Sequence, residues 1–357
     1  MHSAATPLTR YLAAAYALLI ALACLYPLSG WRDNGLPLFD YLLAPWPKYF
    51  RIEDLILNVG GYVPLGFILV PTLARPGNGS MAIVAATVLA ALLSLSVETA
   101  QNFLPTRVAS NVDLGGNALG ALIGAVFGSL WGHVLFNTHG RLQRWRHDRV
   151  IPGRTGDVGM ILAALWLLAQ FLPDSPLFSS GDLRRLLALP TPLPFDPERF
   201  VTLEATLVAA NCVAIGLFAR CMMRHAGGLA LTALLLLGVA AKSVAAWSFL
   251  SSGTPDAWLT PGTQTGLLAG LPLLGIALLL PRILQHASAG MAMLVATTLA
   301  NLIPENPYLL TSPGLFERGN FLNFHGLTQI VASLWPFVAL AYLSALGLWR
   351  GEHLHEH

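Results

Sequence analysis

The chain has 357 residues, of which 55% are hydrophobic and only 11% are charged. Soluble domains carry about 25% charged residues, so this composition indicates a membrane protein and excludes an intrinsically disordered chain. The formal net charge of +2, from 20 basic and 18 acidic residues, excludes a typical nucleic-acid-binding protein. We predict an all-α fold, a polytopic transmembrane helical bundle, and expect no nucleic-acid partner.

Apolar runs long enough to cross a bilayer as helices recur along the whole chain. A spanning helix needs roughly 20 apolar residues, and its backbone polar groups must be satisfied within the segment. The first run follows Arg10 and resembles a signal peptide, but further spans follow, so we interpret it as an uncleaved helix. In chain order, we predict about ten spans at residues 11–28, 54–73, 81–103, 112–136, 157–172, 201–219, 228–250, 264–281, 289–303 and 326–349.

A basic segment at residues 141–154 separates the first four spans from the last six. The positive-inside rule places this segment in the cytoplasm, and with ten spans both termini are then cytoplasmic. We interpret its arginines as contacts to anionic lipid headgroups, so membrane lipid is an expected partner. The predicted domains are a four-helix membrane unit at 1–136, a basic cytoplasmic linker at 137–156, a six-helix membrane region at 157–350 and a cytoplasmic tail at 351–357.

Polar side chains recur on one face of the second, third and fourth spans. Charged groups inside lipid are costly and usually mark a function or a specific pair. In the predicted orientation, the three carboxylates converge near the outer leaflet, and two arginines flank them. Two interpretations stay open: an outward-facing polar pocket, or interhelical hydrogen bonds together with ion pairs. The residues, spaced for one helix face, are Asp54 and Asn58, then Ser94, Glu98 and Gln101, then Asp113 and Asn117, with Arg51 and Arg107 beside them.

Three motifs within the first four spans carry a family resemblance. They are Asn58-Val-Gly-Gly-Tyr-Val-Pro64-Leu-Gly66-Phe, Ser94-x-x-x-Glu98-x-x-Gln101 and Asp113-x-x-x-Asn117-x-x-Gly120-x-x-x-Gly124. In this order and spacing, they resemble the VanZ-like family of small bacterial membrane proteins over about residues 10–136. That family is named for a member linked to resistance to the glycopeptide teicoplanin. The resemblance implies a multi-pass protein of the bacterial inner (cytoplasmic) membrane that acts at the cell envelope, and it implies no established reaction.

Three functions are compatible with these residues. The first is binding of a cell-wall or lipid-linked group, or glycopeptide antibiotic resistance, with Asn58, Ser94, Gln101, Asn117, Arg51 and Arg107 as binding residues. The second is a membrane enzyme acting on a lipid-linked substrate, with Glu98, Asp113 or Asp54 as acid–base groups or as ligands of a divalent cation. The third is a small-solute transporter. Walker, GxGxxG, HExxH and GxSxG motifs are absent, and spacing alone defines no metal site.

The later half of the chain echoes the first at an offset of 146 residues. Asn117-x-x-Gly120-x-x-x-Gly124 aligns with Thr263-x-x-Gly266-x-x-x-Gly270, which suggests a diverged repeat. Near this offset Glu98 aligns with Lys242, and Asp54 and Asn58 align with Glu204 and Asn211. A Glu204–Lys242 ion pair is expected from this alignment, so we place the functional site in the first half. A second polar group, which includes Asn301, Glu317, Arg318 and His325, is interpreted as a solvated loop with helix caps.

Overall fold

The computed structural model describes residues 7–33, 35, 37–45, 52–75, 78–137, 140–225, 227–313 and 319–355. Within these residues, every regular element is a helix, and the only strand-like pairs are the isolated bridges Val150–Met223 and Leu250–Thr311. The helices are α1 (Pro7–Leu25), α2 (Asp40–Leu43), α3 (Ile52–Leu73), α4 (Gly79–Gln101), α5 (Asn111–Phe136), α6 (Arg141–Arg149), α7 (Gly153–Ala169), α8 (Leu183–Leu186), α9 (Pro197–Met222), α10 (Gly228–Phe249), α11 (Pro261–Leu278), α12 (Arg282–Leu302) and α13 (Gly319–His355).

The prediction of an all-α polytopic protein is confirmed. Each of the ten predicted spans is a helix, and eight helices in the described residues are long and apolar enough to cross a membrane. The two outside this set are α7, which has 17 residues, and α11, which has 18. α7 ends at Ala169, and from Gln170 the chain continues as a largely buried loop. α12 begins at Arg282, seven residues before its predicted span.

The chain divides into two compact units, the first of residues 1–148 with 317–327 and the second of residues 149–316 with 328–357. The first unit is built around α3 and α5, with α1 and α4 packed against them. The second unit is built around α9, which packs on both α11 and α12. Its apolar core includes Trp166, Phe218 and Trp335, all buried.

Glycines let α3 and α5 approach until their backbones touch. A Cβ added at Gly120 would lie 2.1 Å from the Val59 carbonyl oxygen, and one at Gly124 would lie 2.0 Å from the Val63 carbonyl oxygen. No side chain fits at such distances, so only glycine permits this packing. Small residues favour close helix contact in membranes, where dispersion contacts replace the hydrophobic effect between helices.

The α9–α11 pair of the second unit packs through the same positions, displaced by 146 residues. In the first unit, Gly116, Gly120 and Gly124 of α5 contact Asn58, Val59 and Val63 of α3. In the second unit, Gly262, Gly266 and Gly270 of α11 contact Glu204, Ala205 and Ala209 of α9. α7 also begins 146 residues after α1. Three consecutive contacts at one constant spacing support treating the second region as a diverged repeat.

Candidate polar binding site

Two of the predicted carboxylates lie where α3 and α5 begin. Asp54 is in the first turn of α3, and Asp113 is in the first turn of α5. Asp113 accepts a hydrogen bond of 2.7 Å from the Asn58 amide and is within electrostatic range of Asp54. Because helix N-termini carry partial positive charge, both positions favour a carboxylate.

Glu98 of α4 reaches the same end of α5. Its Oε2 accepts the backbone N–H of Ser110 at 2.9 Å, and Ser110 in turn caps α5 by accepting the N–H groups of Val112 and Asp113. Glu98 is only 4% exposed and lies within electrostatic range of Asp113. The three predicted carboxylates therefore form an interacting chain, Asp54 to Asp113 to Glu98.

One turn deeper, polar groups of three helices meet around Ser94. The Asn117 amide of α5 donates to the Ser94 hydroxyl of α4 at 2.9 Å. Tyr62 of α3 lies next to Ser94 and within electrostatic range of Glu98. Among the described residues, neither the Tyr62 hydroxyl nor the Asn117 Oδ1 has a hydrogen-bond partner, although both atoms are buried. We call Asn58, Tyr62, Ser94, Glu98, Asp113 and Asn117 the polar seam.

The remaining predicted residues contact the end of α1 instead of the carboxylates. Gln101 donates to the Cys24 carbonyl oxygen at 2.9 Å. Arg107 donates twice to the Tyr26 carbonyl oxygen, at 3.0 and 2.6 Å. Burial lowers the pKa of Arg107 from its ordinary value, yet arginine stays protonated in proteins. Of the two interpretations left open, the one that pairs Arg107 with the carboxylates is therefore wrong for this residue, and Arg51 lies outside the described residues.

The expected Glu204–Lys242 ion pair is also wrong. Lys242 is fully buried, and its Nζ donates to the Leu172 carbonyl, the Ser175 carbonyl and the Ser175 hydroxyl. Glu204 instead accepts from the Asn306 amide at 3.0 Å and lies 3.5 Å from the Thr263 hydroxyl. An ammonium has three protons, and those of Lys242 are all used by the loop after α7.

The second predicted polar group is more structural than expected. Asn301 is half-buried, donates to the Gly181 carbonyl and accepts the N–H of Leu183. It therefore holds the turn before α8 and does not belong to a solvated loop. Glu317 and Arg318 lie outside the described residues.

Sequence reasoning missed Tyr62 and the buried loop after α7. Tyr62 was detectable, because it lies one turn after Asn58 on the same face of α3. The loop at 170–182 is largely buried although six of its residues are polar, four of them buried, and nothing in its composition signals this. Ser175 and Ser179 of this loop, together with Arg185, line a cavity of about 30 Å³. This volume has room for only one or two water molecules.

No metal centre is apparent in the part of the chain that the structure describes, because no three His, Cys, Asp or Glu side chains there are grouped to hold an ion. The carboxylates of the polar seam are held by amide and backbone donors instead. Such donors fix a carboxylate in position and leave it able to accept from a ligand.

Fold and site together define a multi-pass, all-helical membrane protein with a buried polar seam in its first unit. Residues 13–132 match the sequence model of the VanZ/LLP1 family, which covers the predicted resemblance. This match supports assigning that region of the chain to the VanZ-like family, and it suggests a membrane-associated protein of the cell envelope or of antibiotic resistance. No curated protein and no solved structure matches the chain.

Proposed function

We propose that the first unit binds a polar group of a cell-wall or lipid-linked molecule, or of a glycopeptide antibiotic, at the polar seam. The protein would lie in the bacterial inner membrane with the seam near the outer leaflet, where such molecules are found. The VanZ-like match at residues 13–132 supports an envelope role. The six later helices would then act mainly as a scaffold.

The observation that carries this proposal is that two buried polar atoms without a hydrogen-bond partner among the described residues, the Tyr62 hydroxyl and the Asn117 Oδ1, both lie beside Ser94. Leaving a buried polar group unsatisfied costs about 1–3 kcal/mol, and a bound ligand that supplies the missing partners would recover that free energy. Helix packing does not need them. The α9–α11 pair makes the same glycine contacts with Val208 and Thr263 at the corresponding positions.

The test is a thermal-unfolding screen of the purified full-length protein in detergent, with lipid-linked cell-wall precursors, glycopeptides and divalent cations as separate arms. A ligand of the native state stabilises it by RT ln(1 + [L]/Kd). We expect a shift with a precursor or a glycopeptide in the wild type and none in a Glu98→Gln/Asp113→Asn variant.

A matched control is Glu204→Gln, which changes a buried carboxylate of the second unit and should keep the shift. If no ligand stabilises the wild type, the binding proposal fails and the seam is structural. A shift with divalent cations alone would also contradict it and would favour a metal-dependent enzyme.

A further inference from the structure

The charges of the polar seam are unbalanced where Glu98 and Asp113 meet. Asp113 accepts from the Asn58 amide and Glu98 accepts from the Ser110 backbone, so both known partners are neutral. Arg107, the cation nearest in sequence, donates to the Tyr26 carbonyl. Within the described residues, two neighbouring carboxylates thus lack a cationic contact. This arrangement attracts positive charge and repels a phosphate.

The deep end of the seam is uncharged and offers both kinds of hydrogen-bonding group. Among the described residues, the Tyr62 hydroxyl lies beside Ser94 without a partner at hydrogen-bond distance, and the Asn117 Oδ1 has no partner. Both residues are less than 5% exposed and belong to facing helices, with Ser94 between them. A hydroxyl or an amide is the group that satisfies a donor and an acceptor at once.

The carboxylate end of the polar seam, at Glu98, and its uncharged end, at Ser94, have a fixed separation along α4. Ser94 and Glu98 are four residues apart on one helix face, which corresponds to about 6 Å along the helix axis. A ligand that fills both ends therefore carries its positive charge about one helical turn from its hydroxyl or amide. Aminosugars and aminoacyl groups have this combination of a primary amine and a hydroxyl or amide.

Resting on the proposed function, we propose that the polar seam selects a primary ammonium group lying close to a hydroxyl or an amide. The ammonium contacts Glu98 and Asp113, and the hydroxyl or amide bonds Tyr62 and Asn117. No chemical step is implied. The recognised group belongs either to a soluble molecule or to a lipid headgroup.

The experiment separates these two sources with matched probe pairs on the full-length protein. For the soluble source, thermal unfolding is measured with glucosamine and with N-acetylglucosamine, which lacks the ammonium. For the lipid source, nanodiscs of phosphatidylglycerol are compared with nanodiscs containing lysyl-phosphatidylglycerol, which adds a lysyl ester with two primary amines to the same lipid. We expect the amine-bearing member of at least one pair to bind about tenfold more tightly than its partner.

Three variants link that preference to the seam. Asp113→Asn keeps an acceptor for the Asn58 amide and Glu98→Gln keeps one for the Ser110 N–H, and each should abolish the amine preference. Tyr62→Phe should weaken binding several-fold for both members of a pair and keep the amine preference. Glu204→Gln, the carboxylate control in the second unit, should change nothing.

The outcomes distinguish this inference from the proposed function. If cell-wall precursors or glycopeptides bind but neither pair shows an amine preference, the charge selection is wrong and the binding function stands. If the preference persists in Asp113→Asn and Glu98→Gln, the ammonium binds elsewhere and the inference is overturned. If nothing binds in either experiment, both proposals fail.

Discussion

The α3–α5 pair and the α9–α11 pair use one packing scheme with different side chains around it. Both pairs pack closely at three glycines, two of which face the partner backbone and one its side chains, and each contact of the second pair lies 146 residues after its counterpart. Beside those glycines, the first pair carries Asn58 and Tyr62, whereas the second carries Glu204 and Val208 at the positions 146 residues later. Glu204 therefore corresponds to Asn58, and the sequence alignment of Asp54 with Glu204 and of Asn58 with Asn211 is wrong. The glycine packing therefore does not require the polar side chains of the seam. The two helix pairs share their backbone contacts and differ in the side chains at the seam positions.

A second correspondence concerns the end of the first helix in each unit. Arg107 donates to the carbonyl of Tyr26 after α1, and Lys242 donates to the carbonyl of Leu172 after α7. These two carbonyls are again 146 residues apart, although the cations come from unrelated positions. In each unit, a cation thus stabilises the backbone that follows the first helix. Neither cation pairs with the carboxylate that the sequence had suggested as its partner.

The largest expected effect on stability comes from adding a side chain at the glycine contacts that the two helix pairs share. Gly124→Ala should lower the free energy of unfolding by about 3 kcal/mol, because overpacking against a fixed backbone forces the helices apart. Gly270→Ala should cost about 1 kcal/mol, since its nearest neighbour is the Ala209 Cα at 2.8 Å and not an oxygen at 2.0 Å. Unfolding in mixed micelles gives both values.

Gly275→Ala is the control for these substitutions, because nothing lies within 4 Å of an added Cβ there. It should be neutral or stabilise by up to about 1 kcal/mol, as alanine favours the helix. A Gly124→Ala variant as stable as Gly275→Ala would show that α3 and α5 do not touch as described.

An intermediate effect is expected from removing the two cations that bond backbone carbonyls. Arg107→Met and Lys242→Met should each cost about 2 kcal/mol. The first leaves the half-buried Tyr26 carbonyl without this donor, and the second leaves the buried Leu172 and Ser175 carbonyls without theirs. A double-mutant cycle of Lys242→Met with Glu204→Gln should give a coupling below about 0.5 kcal/mol. A larger coupling would restore the ion pair that the sequence alignment predicted.

The smallest expected effect comes from removing the Tyr62 hydroxyl, which should change stability and ligand binding in opposite directions. Tyr62→Phe removes a buried hydroxyl without a partner, so it should raise the free energy of unfolding by up to about 1 kcal/mol while weakening ligand binding. Tyr16→Phe is the matched control, because its hydroxyl donates to the Gly61 carbonyl at 3.0 Å, and it should lose about 1 kcal/mol. Loss of stability in Tyr62→Phe would mean that its hydroxyl has a structural partner.

The sequence predicted helices and their polar faces well because both depend on local pattern. Apolar runs of span length located the ten long helices but not the short α2, α6 and α8, and steps of three and four residues identified Glu98, Asp113 and Asn117 as neighbours on their faces. The partners of Arg107 and Lys242 were not predictable, since both side chains bond backbone carbonyls, which no sequence pattern marks. Tyr62 was overlooked because an aromatic residue in an apolar helix looks like ordinary core.

By itself, the sequence determined the class of the protein, the positions of its helices and the family likeness of its first third, because hydropathy and motif spacing are properties of the chain. Only the tertiary structure decided which polar groups meet, which cations hold carbonyls and which buried atoms stay unpartnered. Those results depend on how closely helices approach and on which long side chain reaches which acceptor. Such distances are set by packing between residues far apart in the chain.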